Sequence, residues 1–147
     1  MIITKDNFNK LKIKVKEAEA PIIFKSSDDE LNRKVMEKLK INILLIPLAE
    51  KKDFSKQRNS GFNHVMAKIA KKNNIEIGID LDELINAKQK SRILARIKQT
   101  IMLCNKNKVQ IQFIQGKNKR DIYELQALLL SIGAPTWMSK NLKIFFE

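Results

Sequence analysis

The chain has 147 residues, of which 44% are hydrophobic and 31% charged, and its formal net charge is +13. That length fits one domain, residues 1–147, able to bury about two-thirds of its unfolded surface, and the composition excludes a disordered or fibrous chain. The longest apolar run, ILLIPLA from Ile43, is too short to cross a bilayer, and the opening MIITKDNFNK has no signal-peptide pattern, so a cytoplasmic location with no membrane partner is expected.

The first segment, residues 7–18, fits a helix through Phe8, Leu11 and Val15, or a strand through Leu11, Ile13 and Val15. Residues 22–25 read as a short strand. Ser27 and Glu30 then have capping-box spacing, and Leu31, Val35 and Leu39 recur every four residues, which predicts a helix. Residues 43–46 read as a strand closed by Pro47, and the polar stretch 50–60, with Lys51, Lys52, Lys56 and Arg58, reads as a loop. Gly61 is expected to open a helix whose packed stripe is Phe62, Val65, Met66, Ile69 and Ala70. Ile75, Ile77 and Ile79 alternate as a strand. One long helix is expected over residues 87–107, with Ile93, Ile97, Ile101 and Cys104 inward, followed by a strand through Val109, Ile111 and Phe113. The last clear helix spans 120–132 and stops at Gly133 and Pro135; residues 142–146 fit either helix or strand. Four strand–helix units in series predict a parallel sheet with outer helices, as an α/β layer or barrel.

Chemistry is harder to find. His64 and Cys104 stand alone in type, so a zinc site of the usual kind cannot be built from them, and no disulfide can form within the chain. Cys104 sits on the apolar side of its helix and reads as a small core residue. The glycines lie too far apart for a phosphate loop. Asp80 and Asp82 fall at the C-terminal end of a strand, the face on which barrel enzymes place their sites; with Glu50 and magnesium they define an alternative reading as a small hydrolase or phosphoesterase. The competing account has Asp82 and Glu83 beginning a turn, and Asp80 solvated or paired with a lysine.

The basic residues are better organised. His64, Lys68, Lys71 and Lys72 lie opposite the apolar stripe of their helix; Lys88, Arg92, Arg96 and Gln99 run along the next; Lys117, Lys119 and Arg120 crowd the loop after the last strand. Charge on a helix face is commonly just solvated, and a chain rich in Lys, Asn and Ile can owe lysine to genome composition. Several basic faces with few opposing acids nevertheless point to phosphate contacts, either specific or as a nonspecific nucleic-acid binder. Aromatic residues hardly interleave with them, which favours backbone or shape recognition of folded RNA over base stacking.

The run RNSGFNHVMAKIAKKNNIEIGIDL, from Arg58, resembles the third protein component of archaeal and eukaryotic ribonuclease P, with its Gly-x-Asn/Asp-His-Val segment, a helix ending in basic residues and Asn, then a strand. SRILARIKQTIMLCNKNKVQI resembles the family's next helix and strand, RDIYELQALLLSIG the loop and helix after that, and SSDDELNRKVMEK the helix before. The resemblance implies a partial TIM-barrel-like (βα)n fold lacking the family's first strands. It implies an RNA-binding subunit with no catalysis of its own, supporting RNA-catalysed removal of the 5′ leader from precursor tRNA. No cofactor is expected on the protein, with magnesium held through the RNA subunit. The implied partners are ribonuclease P RNA, precursor tRNA and a second small protein subunit, with a homodimer within a heterotetramer as one arrangement. A second copy or that subunit is expected to cover the open barrel edges. The RNA-facing residues implied are Arg33, Arg58, His64, Lys68, Lys72, Arg92, Arg96 and Arg120. Two departures stand out: the loop 115–119 is short, and Ile122-Tyr123-Glu124-Leu125 replaces the family's Pro-Arg-Asp-Leu, putting a tyrosine where an arginine is usual.

Overall fold

A computed structural model of the chain describes residues 2–49 and 61–147. The expected loop 50–60, with Glu50 and Arg58, lies outside the described residues. The elements run β1 (Ile2–Thr4), α1 (Phe8–Glu17), β2 (Ile23–Lys25), α2 (Asp29–Lys38), β3 (Ile43–Leu45), α3 (His64–Lys72), β4 (Glu76–Asp80), α4 (Leu81–Asn86), α5 (Lys90–Asn107), β5 (Ile111–Gln115), α6 (Ile122–Ser131), α7 (Thr136–Lys140) and β6 (Phe145–Phe146).

All strand pairs are parallel and the order is β1-β2-β3-β4-β5-β6, one six-stranded sheet in chain order. Crossovers of one hand between sequential neighbours lay the helices on one face. The alternation of each strand then divides its side chains. Ile3, Phe24, Leu44, Ile77, Ile79 and Phe113 point outward into the main core beneath Leu11, Val35, Met66, Ile97 and Leu125. Ile23, Ile43, Leu45 and Ile114 point the other way and form a second, smaller core with Ile2 and Phe145. Gly78 belongs to this inner face: a Cβ there would meet Ile43 Cγ2 at 2.9 Å, so the missing side chain is what lets the inner residues close up. Strands two and six of a flat sheet lie about 19 Å apart at ordinary strand spacing. Yet the Lys25 ammonium at the end of β2 is 3.9 Å from the Glu147 carboxylate beside β6. The sheet is therefore curled into a half-barrel, with its helices outside.

This confirms the α/β partial barrel and corrects several details. β1 and β6 extend the expected four units. α1 is the helical one of its two readings, because Leu11 and Val15 share one buried face while Ile13 is left exposed. The cap of α2 is Asp28, whose Oδ1 accepts from the Leu31 N–H at 3.1 Å, one residue after the predicted Ser27. The expected helix over 87–107 begins only at Lys90. Asp82 and Glu83, which in the competing account begin a turn, lie in the first turn of α4, started by the Asp80 carboxylate accepting from the Glu83 N–H at 3.2 Å. Cys104 is fully buried in the main core, and burial pushes its thiol far up. No helix among the described residues is long and apolar enough to cross a membrane.

Candidate RNA-binding surface

Helix α3 shows how the local sequence builds a charged face. Its N-cap is Asn63, which accepts from the Met66 N–H at 2.9 Å, so the helix starts at His64 rather than at Gly61. Met66, Ala67 and Ala70 are buried, and the two alanines allow the helix to wedge between α2 and α5. The packed stripe is thus turned from the predicted one: Ala67 joins it, and Val65 leaves it with 46% exposure. His64, Lys68, Lys71 and Lys72 all stand on the exposed side. His64, Lys68 and Lys72 make no ion pair with a described residue. Lys71 reaches the Lys108 carbonyl at 3.5 Å, at the end of α5.

The other predicted residues divide. Arg92 is exposed near the start of α5 and faces a cavity that it shares with Lys88. Arg33 and Arg120 are exposed but each lies beside a glutamate one turn on, Arg33 with Glu37 at 3.1 Å and Arg120 with Glu124 at 3.5 Å. Such exposed pairs are worth little and open readily to a phosphate. Arg96 is a correction. It is 1% exposed, and its guanidinium donates to the Leu48 carbonyl at 2.6 Å. The row Arg92–Arg96–Gln99 drifts around the helix toward Ile93, Ile97 and Thr100, so its middle member is held under the segment that follows β3 rather than on the surface.

At the C-terminal end of the strands the carboxylates are engaged. Asp80 caps α4 and pairs with Lys25 at 3.4 Å. Asp82 accepts from the Lys117 and Asn118 N–H groups, each at 2.8 Å, and these bonds hold its carboxyl below the ordinary range. They also fasten the short loop after β5, and Gly116 leaves the space: a Cβ there would strike the Asp82 carboxylate. Glu83 accepts from Leu48 and Ala49 N–H groups at 2.5 and 2.9 Å, while its burial pushes its carboxyl up. Among the described residues no group of three or more His, Cys, Asp or Glu is arranged to hold a metal. Asp80, Asp82 and Glu83 thus each fasten local structure, while Glu50, the other carboxylate of the phosphoesterase reading, lies outside the described residues.

Reading along the sequence missed a basic cluster at the opposite end. Lys71, Lys108, Lys140 and Lys143 come from the ends of three helices and a connecting segment. The packing of those helix ends against one sheet end brings Lys108, Lys140 and Lys143 beside Trp137, with Lys71 in the adjoining hollow.

No protein-family model matches the chain. It is 30% identical over 116 residues to ribonuclease P protein component 3 of Methanococcoides burtonii, covering 78% of this chain and 45% of that protein. It is 28% identical over 108 residues to the protein of the same name from Methanococcus vannielii, covering 72% and 43%. The chain is a homologue of ribonuclease P protein component 3. It spans less than half the length of these curated relatives. The fold agrees: a chain in a cryo-EM structure of archaeal ribonuclease P with mature tRNA superposes with a TM-score of 0.77 at 22% identity, covering 95% of this chain and 62% of that one.

Proposed function

We propose that this chain acts as an RNA-binding protein subunit of ribonuclease P, supporting RNA-catalysed removal of the 5′ leader from precursor tRNA. The homology to component 3 carries this reading, and the net charge of +13 together with the outward face of α3 supplies its physics. RNA that folds tightly must crowd its phosphates. Fixed cations on a rigid half-barrel replace condensed counterions there, so the fold and its bound substrate persist at lower magnesium. The protein holds no cofactor in this role; magnesium is carried by the RNA. His64, Lys68, Lys72 and Arg92 are the contacts we favour, with Arg33 and Arg120 after their glutamates are displaced.

The partners in this reading are ribonuclease P RNA, precursor tRNA and a second small protein subunit, with two copies of each protein as one assembly. Among the described residues, the outer strands β1 and β6 each pair on one side only. Exposed edges of this kind invite strand addition or covering by a partner, and they are where we place that subunit or a second copy.

Reconstitution tests the proposal. Precursor tRNA cleavage by the RNA subunit is measured at limiting magnesium with and without this chain and the second subunit. Faster cleavage that needs this chain is expected; an unchanged rate across the magnesium range rejects the reading.

A further inference from the structure

We infer that the chain carries a second RNA site, a groove for an unpaired nucleotide at the N-terminal end of the strands, in which a base stacks on Trp137 and lysines hold the flanking phosphates. The inference rests on the RNA-binding reading above and adds a surface and a mode of recognition to it.

The groove has a volume of about 470 Å³, within the range of small-ligand sites. Lys108, Lys140 and Lys143 line it around Trp137. A neighbouring hollow continues it through Lys108 and Gln110 to Lys71, and so to the basic face of α3. Against these cations stands Glu76, which is occupied in accepting from the Gln112 side-chain amide at 2.7 Å.

The platform is built to stay in place. The Trp137 indole N–H donates to Asn105 Oδ1 at 3.2 Å, which fixes the ring by its edge. Gln110 donates to the Met138 carbonyl at 2.7 Å. Gln112 donates to the Asn141 carbonyl at 3.1 Å and accepts from the Lys143 N–H at 2.9 Å, so the segment carrying the groove is tied to β5. The ring is half-buried against the main core, and a flexible cation, the Lys108 ammonium, lies 5.5 Å from its centroid. A nucleobase can take that place while the lysine moves to the adjoining phosphate, which exchanges one favourable contact for two. Lysines near helix C-termini also complement the helix dipole. That accounts for Lys71, Lys108 and Lys140, and packing against the main core accounts for one side of the Trp137 ring; neither accounts for Lys143, beyond α7, which joins them at the groove.

Trp137 is the sole tryptophan of the chain, so its emission reports on this groove alone. A short unstructured oligoribonucleotide with an end label is titrated with the full chain, following label anisotropy and tryptophan emission together. Linear polyphosphate, duplex RNA and the second protein subunit are parallel arms. We expect saturable quenching by the oligonucleotide in step with anisotropy, and little response to polyphosphate or duplex. Trp137→Leu should weaken oligonucleotide binding about tenfold and leave duplex binding within about twofold. Oligonucleotide binding with unchanged emission overturns the groove while sparing the RNA-binding reading. So does equal quenching by polyphosphate, or a response to the protein subunit only. Failure of every RNA to bind overturns both.

Discussion

The two ends of the half-barrel spend their charge differently. At the C-terminal end of the strands, Asp80, Asp82 and Glu83 are each committed: one caps a helix, one pins the loop after β5, one holds the backbone after β3. At the N-terminal end, Lys108, Lys140 and Lys143 project into an open groove, with Glu76 as the acid beside them. Barrel enzymes place their chemistry at the first of these ends. Here three carboxylates of that end are engaged in local contacts, while lysines line an open groove at the opposite end.

The strongest way to break this comparison is Arg96→Met. The arginine looks like part of the basic surface in sequence, but its buried guanidinium joins α5 to the segment after β3. Methionine keeps the aliphatic bulk and removes a charged hydrogen bond, which should cost about 1.5–3 kcal/mol in urea unfolding. RNA affinity of the folded variant should match the parent. Weakened RNA binding with undiminished stability would return Arg96 to the surface.

That residue also marks how far the sequence could be read. Strand alternation through Ile75–Ile77–Ile79 and the α5 stripe of Ile93, Ile97, Ile101 and Cys104 carried the fold, because these packed positions are apolar and periodic; Arg96 and Thr100, buried on the same helix, are the polar positions that the pattern could not show. The ends were harder to read: β1 and β6 gain their identity from pairing in register with β2 and β5, and β6 has only two residues. α4 left a signal that went unused, since Asp80 and Glu83 have cap spacing directly after a strand. The charged face of α3 was legible because its lysines and histidine share one helix. The Trp137 groove was not, because its residues meet only in three dimensions.

The next prediction tests the outer surface against the interior. His64→Ala, Lys68→Ala and Lys72→Ala together should lower affinity for ribonuclease P RNA about tenfold at moderate salt and flatten the dependence of log affinity on log salt by roughly two. Stability should stay within about 0.5 kcal/mol, as for exposed residues that make no structural contact. An unchanged salt slope would mean that this face is merely solvated. Combining these changes with Trp137→Leu should be additive for a ligand with duplex and unpaired parts, since the two surfaces share no side chain among the residues changed.

The smallest effect concerns acid. Asp82 and Glu83 are neighbours in sequence with opposite shifts, and linkage gives them opposite signs. Asp82, held low by the Asn118 and Lys117 N–H groups, contributes stability that is complete above its unfolded value of 3.8 and is lost as pH falls through its lower folded value. Glu83, raised by burial above 4.5, binds its proton in the folded state first, so the fold gains stability as pH falls from neutral toward 4.5. A general drift from growing positive charge runs beneath both, and Glu83→Gln separates it. Glutamine keeps an oxygen for the Leu48 and Ala49 N–H groups but cannot ionise. Between pH 7 and 5 the parent should gain stability relative to this variant in parallel urea titrations. Identical pH profiles would place Glu83 in water and overturn its buried contact with the backbone after β3.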